Sequence, residues 1–262
     1  MEVEDAFGVI VAAYPGYIRR YGDKKMVYNP SDGTWSLYNF SQFNRFCQEV
    51  HGYVNSTYIN RLYSLIRTLP DDTDFFETAK QSSLGKSLWK DCIWDYENQL
   101  SLEFTPAIYF DRGTYRPFPL YVDQDRIDRM NRHFFEEPGF GDDYRDALRL
   151  ALSGRNPSGV MLFDICPQTF SGKSVRARVL HESFNMGDRL WCDSHVRTIN
   201  KYLSTRTITP MFFDNRIPTT TRGCVLKNFQ VFGSNVEFTN DRSIGEWMID
   251  NKDALVNILL VR

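Results

Sequence analysis

The apolar run VMLFDI at residues 160–165 constrains the fold more than any other stretch of this chain. It is followed by a short segment, CPQTFSG, and then by a basic segment, KSVRARVL, whose composition favours a helix. A short, continuous apolar run bounded by glycine or proline is typical of a buried strand. The sequence therefore predicts a strand, a loop and a helix in direct succession, which is the building unit of an α/β domain.

The predicted loop closes on Gly-Lys-Ser, the triplet that ends a phosphate-binding loop. In such a loop, backbone N–H groups face the phosphate oxygens, the lysine reaches the β- and γ-phosphates, and the hydroxyl binds Mg²⁺. Pro167 stands where the loop would open on a glycine, and proline supplies no N–H group. A second Gly-Lys-Ser, at residues 85–87, has no apolar strand before it. The candidate residues for ATP and Mg²⁺ are Gln168, Thr169, Gly172, Lys173 and Ser174.

A carboxylate at the end of a strand would be needed to hold Mg²⁺ and to polarise water. The run PMFF ends on Asp214, which is the candidate for this role, and Asn215 rather than a second acid follows it. Asp214 is alternatively a turn residue that closes a strand. Both interpretations place a strand immediately before Asp214.

The rest of the chain divides into an α+β region and the α/β module. Residues 5–21 and 41–69 have helical patterns, the first interrupted by Pro15 and Gly16. Two apolar-aromatic runs on either side of residues 29–33 predict a β-hairpin. Short strands and turns are expected over 101–120, and helices over 123–137 and 142–152. The predicted fold class is α/β, with an N-terminal α+β domain at 1–125 and a P-loop-like module at 126–262.

Composition excludes several protein classes. The net charge is −2, so any nucleic-acid surface must be local. Five widely spaced cysteines without a C-x-x-C pair indicate neither a zinc site nor a disulfide framework. The N-terminal segment has the pattern of neither a signal peptide nor a membrane span. We expect a soluble, intracellular protein with no membrane partner.

The order of segments resembles the superfamily 3 helicase module of poxvirus- and phage-type primase-helicases. The resemblance rests first on VYNPSDGTWSLYN, LEFTPAIYFDRGTYRPFP and RLALSGRNP, which precede the strand and its Gly-Lys-Ser loop. Downstream, FFDNRIP, Arg222, VLKNFQVF and IGEWMIDNKDALVNILL keep the family's order. An acidic Walker B strand is missing, so the resemblance implies a degenerate module.

This resemblance assigns roles to four residues. Lys173 would contact phosphate, Ser174 Mg²⁺, Asn215 the γ-phosphate, and Arg222 the nucleotide of a neighbouring subunit. If Asp214 is instead the Walker B acid, the sensor would fall at residues 234–235. The resemblance further implies a homo-oligomeric ring, replication-associated binding of nucleotide and nucleic acid, and a viral or mobile-element origin.

A different chemistry is indicated by Asp123 and Asp125. On a strand these two carboxylates would share one face and could chelate a divalent ion, as in primases and polymerases. Asp214 would be the third acid of this nucleotidyltransferase hypothesis. Alternatively, Asp125 and Asp128 occupy the first turn of the following helix, where carboxylates favour the helix dipole.

A basic stretch follows the Gly-Lys-Ser triplet and predicts contact with nucleic acid. The alternative is a solvated helix face. A third functional hypothesis is a non-enzymatic virion or nucleoprotein component. The candidate nucleic-acid contacts are Arg176, Arg178, Arg197, Lys201 and Arg206.

Overall fold

The computed structural model describes residues 8, 16–37, 56–65, 68–111, 113–152, 161–165, 172–184, 211–214, 229–233 and 242–261. The chain forms two compact units, of which the first comprises residues 1–84, 88–93 and 102–113. The second comprises residues 85–87, 94–101 and 114–262. The last division falls between residues 113 and 114 rather than at 125/126. Helices and small sheets occur together, as an α/β fold class requires.

The first unit contains a three-stranded antiparallel sheet in the order β1-β2-β3, formed by Ile18–Tyr21, Lys24–Asn29 and Thr34–Leu37. The predicted hairpin is confirmed, since Asn29 pairs with Thr34 across the loop. Gly33 has a φ of +73°, and a Cβ there would lie 2.9 Å from both Leu88 and Phe104. The loop thus needs glycine for its backbone conformation and for its packing.

The helix predicted over residues 5–21 is wrong at its C-terminal end, where β1 is found. Gly16 adopts a φ of +83°, which a continuing helix excludes. Ile18 is buried and pairs with Val27 on β2. Pairing with a neighbouring strand therefore outweighs the local helical pattern at this position.

One face of this sheet packs on the first unit's second helix. Helix α1 is Ser56–Leu65 and helix α2 is Thr73–Ser82. Trp35 of β3 is 1% exposed, and its ring centroid lies 4.9 Å from that of Phe76 on α2 in an edge-on arrangement. The Trp35 indole N–H also donates to the Pro106 carbonyl at 3.0 Å. Aromatic packing around Trp35 forms one hydrophobic core of this unit, and a second contains Leu88, Ile93 and Ile108.

A second small sheet, in the order β4-β5-β6, is formed by Lys86–Leu88, Ile93–Asp95 and Leu100–Leu102. Residues 113–123 contain neither helix nor strand. The turns predicted over 101–120 are therefore present, but only β6 supplies a strand there.

Helices make up most of the described part of the second unit. They are α3 (Gln124–Asn131), a π-helix (Arg132–Glu136), α4 (Asp142–Leu152), α5 (Lys173–Phe184), α6 (Arg242–Asp250) and α7 (Lys252–Leu260). Helix α7 packs against α3, α4 and α5. The predicted helices at 123–137 and 142–152 are confirmed. The part of the chain that the structure describes has no helix long and apolar enough to cross a bilayer.

A three-stranded parallel sheet completes the second unit. Its strands are β7 (Met161–Ile165), β8 (Met211–Asp214) and β9 (Phe229–Gly233), in the order β8-β7-β9. The apolar run that predicted a buried strand is thus the middle strand. Because the sheet is parallel, the carboxyl ends of all three strands lie at one edge.

Gln99 is the non-glycine residue with a positive φ, +55°, in the described chain. Its side-chain amide donates to the Tyr96 carbonyl at 2.7 Å and to the Leu260 carbonyl at 3.1 Å. The second bond satisfies a carbonyl at the C-terminus of α7, where intrahelical donors are lacking. These two bonds hold the strained residue in place.

Gln99→Ala is expected to lower the free energy of unfolding by about 1–2 kcal/mol, because the hydrogen bonds are lost while the strain remains. Gln99→Gly should be less destabilising, since glycine adopts this φ without strain. Urea unfolding of both variants measures the difference. A Gln99→Gly protein less stable than Gln99→Ala would contradict this account.

Candidate functional site

The carboxyl end of β7 leads through residues 166–171 to the N-terminus of α5. Gly172 has a φ of +75°, and its carbonyl accepts from the Val175 and Arg176 N–H groups at 3.0 and 2.9 Å. Gly172 is therefore the N-cap residue, immediately before the helix. The N–H groups that come before these two at the start of a helix lack an i−4 acceptor and point along the axis toward whatever precedes it.

The first turn of α5 carries a positive charge and no negative charge. The turn begins on Lys173, which is partly buried, and contains no acidic residue. Cations at this end are opposed by the positive pole of the helix dipole, so the arrangement favours an added anion. Among the other helices that the structure describes, α1 and α6 also lack an acid in the first turn, and α6 likewise begins on a cation, Arg242. Helices α2, α3, α4 and α7 carry acids in the first turn: Asp74, Asp125, Asp142, Asp143 and Asp253.

Asp214 lies at the same edge of the parallel sheet as the carboxyl end of β7. It is the last residue of β8 and pairs in register with Ile165, the last residue of β7. Adjacent strands lie about 4.8 Å apart. A carboxylate-bearing residue therefore stands beside the strand that leads to Lys173, as the sequence predicted for the end of the PMFF run.

Ser174 is exposed in the first turn of α5. Its position next to Lys173 is the one that the phosphate-loop interpretation assigned to it. Several predicted residues lie outside the described residues, and their roles stay predictions: Gln168, Thr169, Asn215, Arg222, Arg197, Lys201 and Arg206.

Arg176 is not a surface residue, and its prediction as a nucleic-acid contact is wrong. Its side chain is 1% exposed, with the guanidinium carbon 4.8 Å from the centroid of the Phe140 ring. Arg178 is exposed and forms an ion pair with Glu182 at 2.9 Å. Of the described basic residues in this stretch, Arg178 faces solvent and Arg176 supports the packing of α5.

Asp123 and Asp125 belong to a helix start rather than to a strand. The Asp123 side chain accepts from the Asp125 N–H at 2.9 Å and caps α3, whose first turn includes Asp125. The strand that would have placed both carboxylates on one face is absent from residues 113–123. Within the described ranges, no group of three histidine, cysteine or acidic side chains is placed to hold a metal ion. The helical alternative is therefore observed for Asp125, whereas Asp128 lies beyond the first turn and Asp123 is the cap.

The C-terminus of α5 is held by a residue that sequence patterns did not indicate. Arg116 donates to the Ser183 carbonyl at 2.8 Å and forms an ion pair with Asp253 of α7. Burial lowers the pKa of the Arg116 guanidinium to about 10. Cations at a helix C-terminus are favoured by the dipole, so Arg116 stabilises α5 at the end opposite Lys173. The 67-residue separation of the hydrogen-bonded pair leaves no local signal in the sequence.

An open cleft of about 510 Å³ in the first unit has no comparable preference for an anion. It is lined by Arg20, Gly22, Asp23, Lys25 and Asp71, so that two cations are balanced by two carboxylates. Asp71 accepts from the Gly22 N–H at 2.9 Å, and this bond contributes most to lowering the pKa of its carboxyl group. The α5 N-terminus therefore remains the better candidate site.

No protein-family model matches the chain, and a comparison with curated protein sequences finds no significant match.

Proposed function

We propose that the second unit binds a nucleoside triphosphate with Mg²⁺ at the N-terminus of α5, in a module of the superfamily 3 helicase type. Lys173 would neutralise the β- and γ-phosphates, and the first-turn N–H groups would donate to their oxygens. The observation that carries this proposal is the path from the middle strand of a parallel sheet to Gly172 and Lys173. Ligands of open α/β sheets bind at the carboxyl ends of the strands.

Electrostatics supports the choice of a polyanionic ligand. The helix dipole and the lysine are both positive at the same point, and the first turn offers no acid that would repel a phosphate. A triphosphate with Mg²⁺ also needs oxygen ligands for the ion. Ser174 is the candidate hydroxyl, and Asp214, at the same sheet edge, is the candidate carboxylate. Nucleic-acid binding by the basic stretch and assembly of subunits into a ring remain parts of this proposal.

Lys173→Ala is expected to weaken binding of ATP in the presence of Mg²⁺ by about 10- to 150-fold. This range corresponds to the ~1.5–3 kcal/mol of a hydrogen bond to a charged group. Isothermal titration calorimetry on the full chain measures the affinity, and circular dichroism checks that the variant is folded.

Lys252→Ala is the matched control, because Lys252 also occupies the first position of a helix in the second unit, where Asp253 follows it. This variant should bind ATP as the unsubstituted protein does. Equal binding by the Lys173→Ala protein, or a folded wild-type chain that binds no ATP, would remove the assignment.

A further inference from the structure

Gly245 occupies the interior of α6, where glycine is unfavourable relative to alanine. Such a position needs a compensating reason, and the packing supplies one. The residue is buried, and a Cβ placed on it would lie 3.3 and 3.4 Å from the two methyl carbons of Val175 on α5. The 3.3 Å separation is shorter than an ordinary contact between carbon atoms, and the 3.4 Å separation lies at the lower limit of the ordinary range. The missing side chain is therefore what lets α6 approach α5 so closely.

The contact falls on the first turn of α5. Val175 is two residues after Lys173, and its N–H donates to the Gly172 carbonyl at 3.0 Å. A displacement of Val175 would thus also displace Gly172, the N-cap residue, through this hydrogen bond. Helix α6 limits where the first turn of α5 can lie.

We infer that Gly245 is a positioning residue for the phosphate-binding site, an inference that rests on the proposed function. Hydrogen bonds from backbone N–H groups to oxygen weaken as the donor–acceptor distance leaves the range of about 2.7–3.2 Å. Several such donors act together at a helix N-terminus. A displacement of the turn by a few tenths of an ångström therefore misplaces all of them at once relative to a triphosphate held by Lys173.

Gly245→Ala is expected to weaken ATP binding by about three- to tenfold, which is less than the loss of one full hydrogen bond to a charged group because the N–H donors are displaced and not removed. The higher helix propensity of alanine opposes the loss of packing. The midpoint of thermal unfolding should consequently move by no more than about 4 °C. The affinity for ATP would then fall while the unfolding midpoint stays nearly unchanged. If Gly245 had a purely structural role, the affinity and the midpoint would fall together.

The test is a double-mutant cycle on the full chain with ATP and Mg²⁺, by calorimetry, using Gly245→Ala, Val175→Ala and the double variant. Val175→Ala removes the methyl carbons that the new Cβ would meet, so the double variant should bind within about twofold of Val175→Ala alone. Gly245→Ala protein that binds like wild type, or a double variant as weak as Gly245→Ala, overturns the inference. A wild-type chain that fails to bind ATP removes the proposed function and this role together. If the wild-type chain binds ATP and the Gly245→Ala protein binds it equally well, only the role of Gly245 is overturned and the proposed function is retained.

Discussion

Trp35→Ala is expected to destabilise the first unit by about 4–6 kcal/mol. Removing a buried aromatic side chain costs about 3–5 kcal/mol, and the orphaned Pro106 carbonyl adds roughly 1 kcal/mol. Trp35 is 1% exposed, and its ring also meets Tyr28 and Phe75 at centroid distances of 5.4 and 5.9 Å. Since whole domains are stable by only about 5–15 kcal/mol, we expect most of the unit to unfold.

Near-UV circular dichroism and urea unfolding measure this loss. Leu37→Ala is the matched control, because Leu37 lies on the same strand, two residues away, and is 56% exposed. Trp35→Phe should fall between the two, since it keeps part of the ring contact but loses the bond to Pro106. Equal unfolding midpoints for Trp35→Ala and Leu37→Ala would contradict the role of Trp35 as the centre of this core.

Arg176→Ala is expected to lower the free energy of unfolding of the second unit by about 3–5 kcal/mol, by analogy with other large-to-small substitutions of buried residues. The side chain is 1% exposed and its guanidinium lies over Phe140. Phe140 in turn stacks on Tyr144 of α4 at 4.2 Å. The substitution would leave a cavity between α5 and this pair of rings and remove a cation–π contact.

Arg176→Met separates the effect of volume from that of charge. Methionine fills most of the space that alanine would leave empty, so this variant should lose less stability than Arg176→Ala. Arg178→Ala is the control, because Arg178 is exposed and its pair with Glu182 contributes only about 0.3–0.5 kcal/mol. Chemical denaturation of the three variants measures their free energies of unfolding. Similar losses in Arg176→Ala and Arg178→Ala would show that burial of Arg176 contributes little.

The elements that could be predicted are those encoded by short-range chemistry. Asn29 and Gly33 frame a loop that glycine makes possible, and residues 142–152 have an amphipathic pattern with acids in the first turn. Lys173 was expected at the start of a helix after a strand and is found there. Each of these signals lies within about a dozen residues, the range over which periodicity and capping act.

The features that could not be predicted depend on contacts between distant segments. The sequence placed Arg176 in a basic surface, but its side chain is buried against Phe140, which lies 36 positions earlier in the chain. Asp123 and Asp125 had two consistent interpretations, and only the absence of a strand before them selects the helix cap. Gly245 carried a signal, since glycine inside a helical pattern needs a reason, but the pattern does not name Val175 as its neighbour.

By itself, the sequence determined the hairpin, the amphipathic helices and the succession of strand, loop and helix around Lys173. Backbone preferences and the spacing of apolar residues are local, so they act on the chain before it folds. Only the tertiary structure decided that β7 lies between β8 and β9, that Asp214 meets Ile165 at the sheet edge, and that Arg176 is buried. Strand neighbours and burial are settled by packing between segments tens of residues apart, where hydrophobic burial outweighs local preference.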